Sequence, residues 1–551
     1  MRWLLILLCC SLPLSSHAEW PTTIRENLPI AVDPEHSAIA QKTLLLDDDR
    51  IFVFWGGGTT QATLLYTILD RYGEPIFAEP RSPWPAILYG EPTGSTLRAA
   101  SDSCGGVLLN WMKPAEPPNT TIWAQRVDAS GNILWGDSAK AVSTINSSHY
   151  SGCAAAMGNY YFAVGTTEDG HDVYLQKLDS EGNACWGDSG IVVANASYNE
   201  KSPHVIPDNE GGIIVTWTDV RPPYTTYGAL YAQRFDINGQ PLWAPGGVFL
   251  VDEPGFRQEL PDGNNGILVH TNPGGSFNTN SLFRFDDSGH ILWELENISK
   301  RTNAKMVAGE PGFVYLGWPW EQSGNFRNGY YAQRVGIDGT VYWPWCDRIN
   351  GLLLVDNSRN QNDDYFNIAF RYPYFYSLSV MVESQTTAYP QYLVVQSVDI
   401  AGHRRYGNQG IYVAVSHHYT EAEFREPNIL PSDNGGAVLI WFNISYYDIW
   451  GKSVLPDGSL GGPIPPIEHH SNQITASVTV SGLSFTLPTP SHVTIDLYNI
   501  LGQKVQTISD GYRQVGSYSI RLDEGNLASG IYLARLQAGA EVKVVKIAVV
   551  R

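Results

Sequence analysis

Charge is scarce in this sequence. Asp, Glu, Lys and Arg together make up only 16% of 551 residues, and the acids outnumber the bases 55 to 35, a formal net charge of −20. That shortage of cations argues against nucleic acid or an anionic membrane as partner. Cysteine is also scarce, six in all, and Cys9 and Cys10 fall in the apolar N-terminal run. The other four, Cys104, Cys153, Cys185 and Cys346, would allow three connectivities, and a core of several hundred residues does not need a disulfide framework. No pair is assigned. After the N-terminal run no stretch is long and apolar enough to span a membrane. The sequence has no Gly-x-Ser-x-Gly elbow, no His-Glu-x-x-His and no P-loop. His417-His418 and His469-His470 are pairs without further ligands, while Asp47-Asp48-Asp49 and the turn at Asp286 read as strand ends. Neither a metal nor a cofactor is expected.

Turn formers and aromatics are plentiful. Glycine (53), proline (34) and an aromatic content of 12% suit an exported, turn-rich, all-β chain. Residues 1–18 run from Arg2 through an apolar segment, Trp3 to Leu14, to Ser16-His17-Ala18, the layout of a signal peptide cut after Ala18. Neither Cys9 nor Cys10 follows a small residue, as a lipoprotein cysteine should.

The dominant signal is repetition. Aligned on a turn glycine, an alternating run, Asp-x-x-Gly and an aromatic recur with variations at Gly73, Gly131, Gly182, Gly239, Gly289, Gly339, Gly402 and Gly458, at intervals of 50 to 63 residues. A second motif, a Gly-Gly-like turn and an apolar strand, ends at Trp111, Trp217, Trp318 and Trp441, with a plainer copy at Trp55. A period near fifty marks a repeat architecture, and four antiparallel strands per repeat fit a β-propeller blade. Period-two alternation puts Tyr231, Gln233 and Phe235 on one face and Ala232, Arg234 and Asp236 on the other. The Gln recurring at 125, 176, 233, 333 and 396 reads as a semi-buried amide serving backbone, and Arg234 with Asp236 as a structural ion pair. Leu28 to Asp33 copies the run-on strand of later repeats but precedes the first, and the last repeat lacks its Trp after Gly458. An orphan strand at one end and a missing one at the other suggest ring closure by strand exchange. The expected fold is therefore all-β: an eight-bladed (alternatively seven-bladed) β-propeller over 19–466, a linker over 467–481, and a small Ig-like β-sandwich over 482–551.

That last domain carries a resemblance. Leu487-Pro488, the run Val493 to Tyr498, the turn Leu501-Gly502-Gln503, the segment Leu527 to Tyr532 and a closing strand ending in Arg551 resemble the type A C-terminal sorting domain of type IX secretion cargo. The resemblance implies export to the periplasm, recognition by the type IX translocon, and release or attachment at the outer surface of a Gram-negative bacterium of the Bacteroidetes type. It implies nothing about what the cargo does.

In a propeller, the loops from second to third strand and from fourth to first share one face. Here these loops are the long, irregular ones, and recognition sits on variable loops over a rigid frame. They offer Arg221, Tyr224, Tyr227, Trp320, Phe326, Arg327, Tyr446 and Tyr447 as candidate binding residues for an extracellular glycan or protein ligand. The expectation is a monomeric binding or adhesion module. The alternative is a carbohydrate-active hydrolase, for which Asp219, Glu321 and Glu383 would have to converge in pairs.

Overall fold

The computed structural model describes residues 20–549 except 24–25, 32–37, 47–48, 58–62, 84–97, 103–104, 115–119, 144–146, 157–158, 167–171, 197, 209, 225–227, 253, 273–279, 300–303, 321–328, 344–350, 357–360, 383–390, 417–423, 433–434, 444–447, 462–474, 480–481, 488–490, 500–503, 514–515, 522–529 and 539–540. The residues of the expected signal peptide thus lie outside the described part, as do both His pairs. All regular elements among the described residues are β-strands. They fall into two compact units, Met1–Val307 with Tyr315–Pro466, and Ala308–Val314 with Ile467–Arg551.

Up to residue 454 the strands form eight antiparallel sheets in chain order, spanning 38–69, 98–141, 147–194, 200–252, 256–299, 305–356, 361–415 and 425–454. Seven have four strands. The first has three, with an isolated bridge between Tyr66 and Arg81 in the fourth place. The eighth is completed from far away in sequence: Leu28–Ala31 pairs with Asp448–Val454, Leu28 opposite Gly451.

The repeated motif is a turn with a fixed chemistry. Its eight glycines all have positive φ, from 78° to 94°, a region costly for any residue with a Cβ. At Asp70, Asp128, Asp179, Asp236, Asp286 and Asp399 one carboxylate oxygen accepts the backbone N–H groups two and four residues on, at 2.8–3.0 Å. The recurrent Gln serves backbone as expected. Gln233 Nε2 donates to the Ala244 carbonyl at 2.9 Å and Oε1 accepts from Trp243 N at 2.9 Å, and Gln125, Gln176, Gln333 and Gln396 make equivalent contacts.

Each turn glycine leaves room for an aromatic ring of the preceding repeat. A Cβ on Gly182 would stand 2.8 Å from the ring of Trp135, and one on Gly239 2.9 Å from Trp186. The same relation links Phe77 to Gly131, Trp243 to Gly289, Trp293 to Gly339, Trp343 to Gly402 and Tyr406 to Gly458. The indole N–H then donates to a carbonyl of that next turn, as from Trp135 to Ser180 at 2.9 Å and Trp293 to Ile337 at 2.8 Å. For Gly73, the first turn, the ring is Trp20. A Cβ there would lie 3.0 Å from its indole, and Trp20 Nε1 donates to the Arg71 carbonyl at 3.1 Å. Trp20 is 1% exposed and packs with Ile51, Val53 and Leu69 of the first sheet and Val438, Ile440 and Ile449 of the eighth. The N-terminal segment thus sets an indole against the first turn glycine, as each later turn has one ring from the repeat before it.

Two of the repeated tryptophans lie between sheets. Trp243 packs with Ile206 and Leu230 of the fourth sheet and Val269 and Phe283 of the fifth, and Trp441 sits between the seventh and eighth. One expected pair is different. Arg234 does not pair with Asp236, whose carboxylate is taken up by its own turn amides. It bridges Asp208 at 3.0 Å and Glu210 at 2.8 Å, at the Gly-Gly turn two strands away. Arg126 with Asp102 and Arg284 with Asp262 repeat the arrangement.

The second unit contains two antiparallel sheets. One orders Thr475–Thr479, Gly482–Leu487 and Gly516–Arg521, and the other Lys504–Arg513, Ser491–Asn499, Gly530–Ala538 and Glu541–Val549. Phe485 and Leu487 from the first meet Val493, Ile495, Leu497, Ala534 and Leu536 from the second in one core. The strand Thr475–Thr479 lies inside the stretch read from sequence as linker. It pairs residue for residue with Gly482–Leu487, a bond the proline-rich composition just upstream gave no sign of.

Candidate functional site

The clearest concentration of sequence-predicted residues lies at one end of the fourth sheet. Antiparallel register places Glu200, Asp219, Ala229 and Asp252 in a row across its four strands, Glu200–Pro207, Ile213–Asp219, Ala229–Phe235 and Val248–Asp252. A register shift between Lys201 and His204 brings Glu200 opposite Asp219. Both carboxylates are sealed from solvent, at 1% and 0% exposure.

Just past Asp219 the chain turns, and Arg221 folds back on it. The Arg221 backbone N–H donates to one oxygen of Asp219 at 2.9 Å, and Nε donates to the other at 2.8 Å with Nη2 alongside. Arg221 also lies 4.3 Å above the Tyr231 ring, a cation–π contact that fixes the guanidinium plane. Tyr231 meets Phe249 edge-on at 5.8 Å, and Tyr224 stacks on Phe249 at 5.4 Å. Phe249 remains 42% exposed. Glu200 has one oxygen accepting the Ala196 N–H at 2.9 Å and the other without a partner. Burial and the neighbouring Asp219 carboxylate push Glu200 up to about 7, whereas hydrogen bonds to Asp219 keep Arg221 firmly charged.

Arg221 also lines a groove of about 390 Å3 between the third and fourth sheets. One wall is the consecutive run Ile191 to Ala196; the other consists of Gln233, Phe235, Gly239, Pro241, Pro245 and Gly246. Tyr231 packs against the core between these same two sheets, so the rings and the groove occupy one side of the fourth sheet.

Of the eight predicted binding residues, Arg221 and Tyr224 are thus brought together. Trp320 ends the strand Phe313–Trp320, of which only the backbone is described there. Tyr227, Phe326, Arg327, Tyr446 and Tyr447 lie outside the described residues, as do Glu321 and Glu383. Sequence reasoning missed Glu200, Tyr231 and Phe249. For Phe249 period two gave no signal, since alternation groups it with Val251, which is buried; the pairing irregularity between Leu230 and Tyr231 falls opposite these residues. Among the described residues no group of His, Cys, Asp and Glu is arranged to hold a metal ion, and no helix is long and apolar enough to cross a membrane.

Among the described residues the chain is all-β, and most of its antiparallel sheets have four strands. Residues 472–550 match the family model of the secretion system C-terminal sorting domain, and this domain marks the chain as type IX cargo, secreted or displayed at the outer surface. No curated protein matches the sequence. Among solved structures, a protein of unknown function from Dyadobacter fermentans is 11% identical, with 68% of this chain and 97% of that one covered at a TM-score of 0.35. The β-propeller domain of the trilobed protease from Pyrococcus furiosus is 9% identical, covering 72% and 97% at 0.32. An α-L-arabinofuranosidase from Fusarium graminearum is 11% identical, covering 58% and 98% at 0.33. Likenesses this loose say nothing about activity.

Proposed function

We propose that the first unit is a closed, eight-bladed propeller acting as a binding or adhesion module for an extracellular glycan or protein ligand, delivered by a C-terminal, Ig-like sorting domain. Eight sheets, eight turn glycines with eight aromatic partners, and the pairing of Leu28–Ala31 with the last sheet support the ring. The binding reading rests on one observation above all: Arg221, which lines one end of the groove, lies on the Tyr231 ring, and Tyr231 in turn meets the half-exposed stack of Phe249 and Tyr224. Rigid rings at low conformational cost and a guanidinium already fixed by a buried partner are what a recognition surface uses.

Hydrolysis has a narrower basis. Glu200, pushed up to about 7 beside the Arg221-paired Asp219, is the acid and carboxylate combination a glycosidase uses. Both are buried, however, and a catalytic acid must reach its leaving group. The full chain, applied to glycan and peptide arrays and to a panel of chromogenic glycosides, separates the readings. Capture without turnover, weakened by Tyr224→Ala, supports recognition. Turnover abolished by Glu200→Gln in a protein that remains folded contradicts it.

A further inference from the structure

The strand Ile191–Ala194 is the last of the third sheet, bonded on one side to Val173–Leu178 and, among the described residues, to no strand on the other. Side chains alternate along a strand, so a groove that touches six residues in succession, Ile191 to Ala196, is lined by the strand's backbone edge as well as its side chains. Among the described residues no backbone hydrogen bond joins the facing wall to that edge. Pro241 and Pro245 have no N–H to donate, and Gly246 opens onto empty space, with nothing within 4 Å of where a Cβ would stand. Val192, midway along the edge, is 47% exposed. At the far end, Asp219 engages the backbone N–H, Nε and Nη2 of Arg221, which leaves Nη1 as a donor beside the groove.

Building on the binding reading above, we propose that this groove captures an extended peptide by strand addition. The peptide backbone pairs with the open edge of Ile191–Ala194, an apolar side chain packs on Val192 and the prolines, and one peptide carbonyl accepts from Arg221 Nη1. An unpaired strand edge beside alternating apolar positions is the template that β-augmentation requires. A sugar ring would need an open aromatic face along the groove. The ring on its walls is Phe235, which is 3% exposed, so glycans fit the exposed Tyr224–Phe249 stack better than the groove itself.

The test uses a fluorescein-labelled hexapeptide of alternating valine and threonine, its analogue N-methylated at alternate residues, and the full-length protein. The labelled hexapeptide should bind. N-methylation, which removes donors without changing side chains, should weaken it at least about tenfold, the scale of one or two lost hydrogen bonds. Val192→Lys, at an exposed position, should weaken it similarly while leaving the unfolding midpoint unchanged. Equal binding of the N-methylated analogue overturns strand addition, and so does capture confined to glycans, lost on Tyr224→Ala but not on Val192→Lys. That second result leaves the binding reading standing. Absence of capture of hexapeptide and glycan alike overturns both.

Discussion

Trp20 is the most demanding place to test how the first unit is held together. Its indole is 1% exposed, lies against Gly73 and Gly451, and joins the cores of the first and eighth sheets. Replacing a buried Trp with Ala costs about 3 to 5 kcal/mol through lost burial and the residual cavity. The bond from Nε1 to the Arg71 carbonyl adds about 1 kcal/mol. Trp20→Ala should therefore lower stability by about 4 to 6 kcal/mol. Trp20→Phe, which keeps most of the ring and loses the N–H, should cost about 1 to 2 kcal/mol. Urea unfolding of the full chain reads both values, and amide exchange locates the damage. Protection should fall first in Leu28–Ala31 and Asp448–Val454, because the strand pair beside the lost ring opens before the rest. Should Trp20→Ala unfold at the wild-type midpoint with unchanged protection in those strands, the N-terminal segment is not a structural member of the last sheet.

Three other outcomes follow from particular contacts. Glu200 is raised from 4.5 to about 7 in the folded protein, chiefly by burial and then by Asp219, so between those values the folded state holds the extra proton. Its contribution is full below pH 4.5 and lost as the pH rises through 7. A thermal or urea titration should show this decline between pH 4.5 and 7, and Glu200→Gln should remove it. Arg234→Ala should cost about 3 to 5 kcal/mol by leaving Asp208 buried without its cation, while Asp236→Ala should cost only about 1 kcal/mol; equal losses would restore the Arg234–Asp236 pairing. Deleting residues 467–551 should leave a folded first unit in the periplasm, checked by fractionation and protease resistance, and normal surface delivery would refute the role of the sorting domain.

The parts of this architecture that are local in sequence are the parts the sequence reveals. An Asp-x-x-Gly turn fixes its own φ values and hydrogen bonds within five residues, so its copies could be aligned by eye and the sheets follow. The sorting domain was legible because its strand-and-turn motifs fall within eighty residues. Contacts set by register or by distant segments were not. Trp20 belongs to no repeat, and its partners lie about 50 and 430 positions away, at Gly73 and Gly451. Arg234 reads naturally with Asp236 two residues on, yet it joins Asp208, 26 residues back, because Asp236 is already committed to its turn. Glu200 meets Asp219 only through an irregularity in the strand pairing that composition does not encode. At the site, Arg221 and Tyr224 were marked by lying on an irregular loop, whereas Phe249 and the open edge of Ile191–Ala194 belong to regular strands and looked like frame.

The central claim is that recognition rests on the loop face while the recurring tryptophans carry the frame, and one paired comparison tests it most directly: array capture and unfolding midpoint measured together for Tyr224→Ala and Trp243→Ala. Tyr224, half-buried on Phe249, should lose ligand capture by about 1 kcal/mol or more with little change in midpoint. Trp243, between the fourth and fifth sheets with its N–H on the Asp287 carbonyl, should lose about 3 to 5 kcal/mol of stability. The contrary result, Tyr224→Ala unfolding the protein while Trp243→Ala leaves it intact, would contradict the division between frame and face on which the functional account stands.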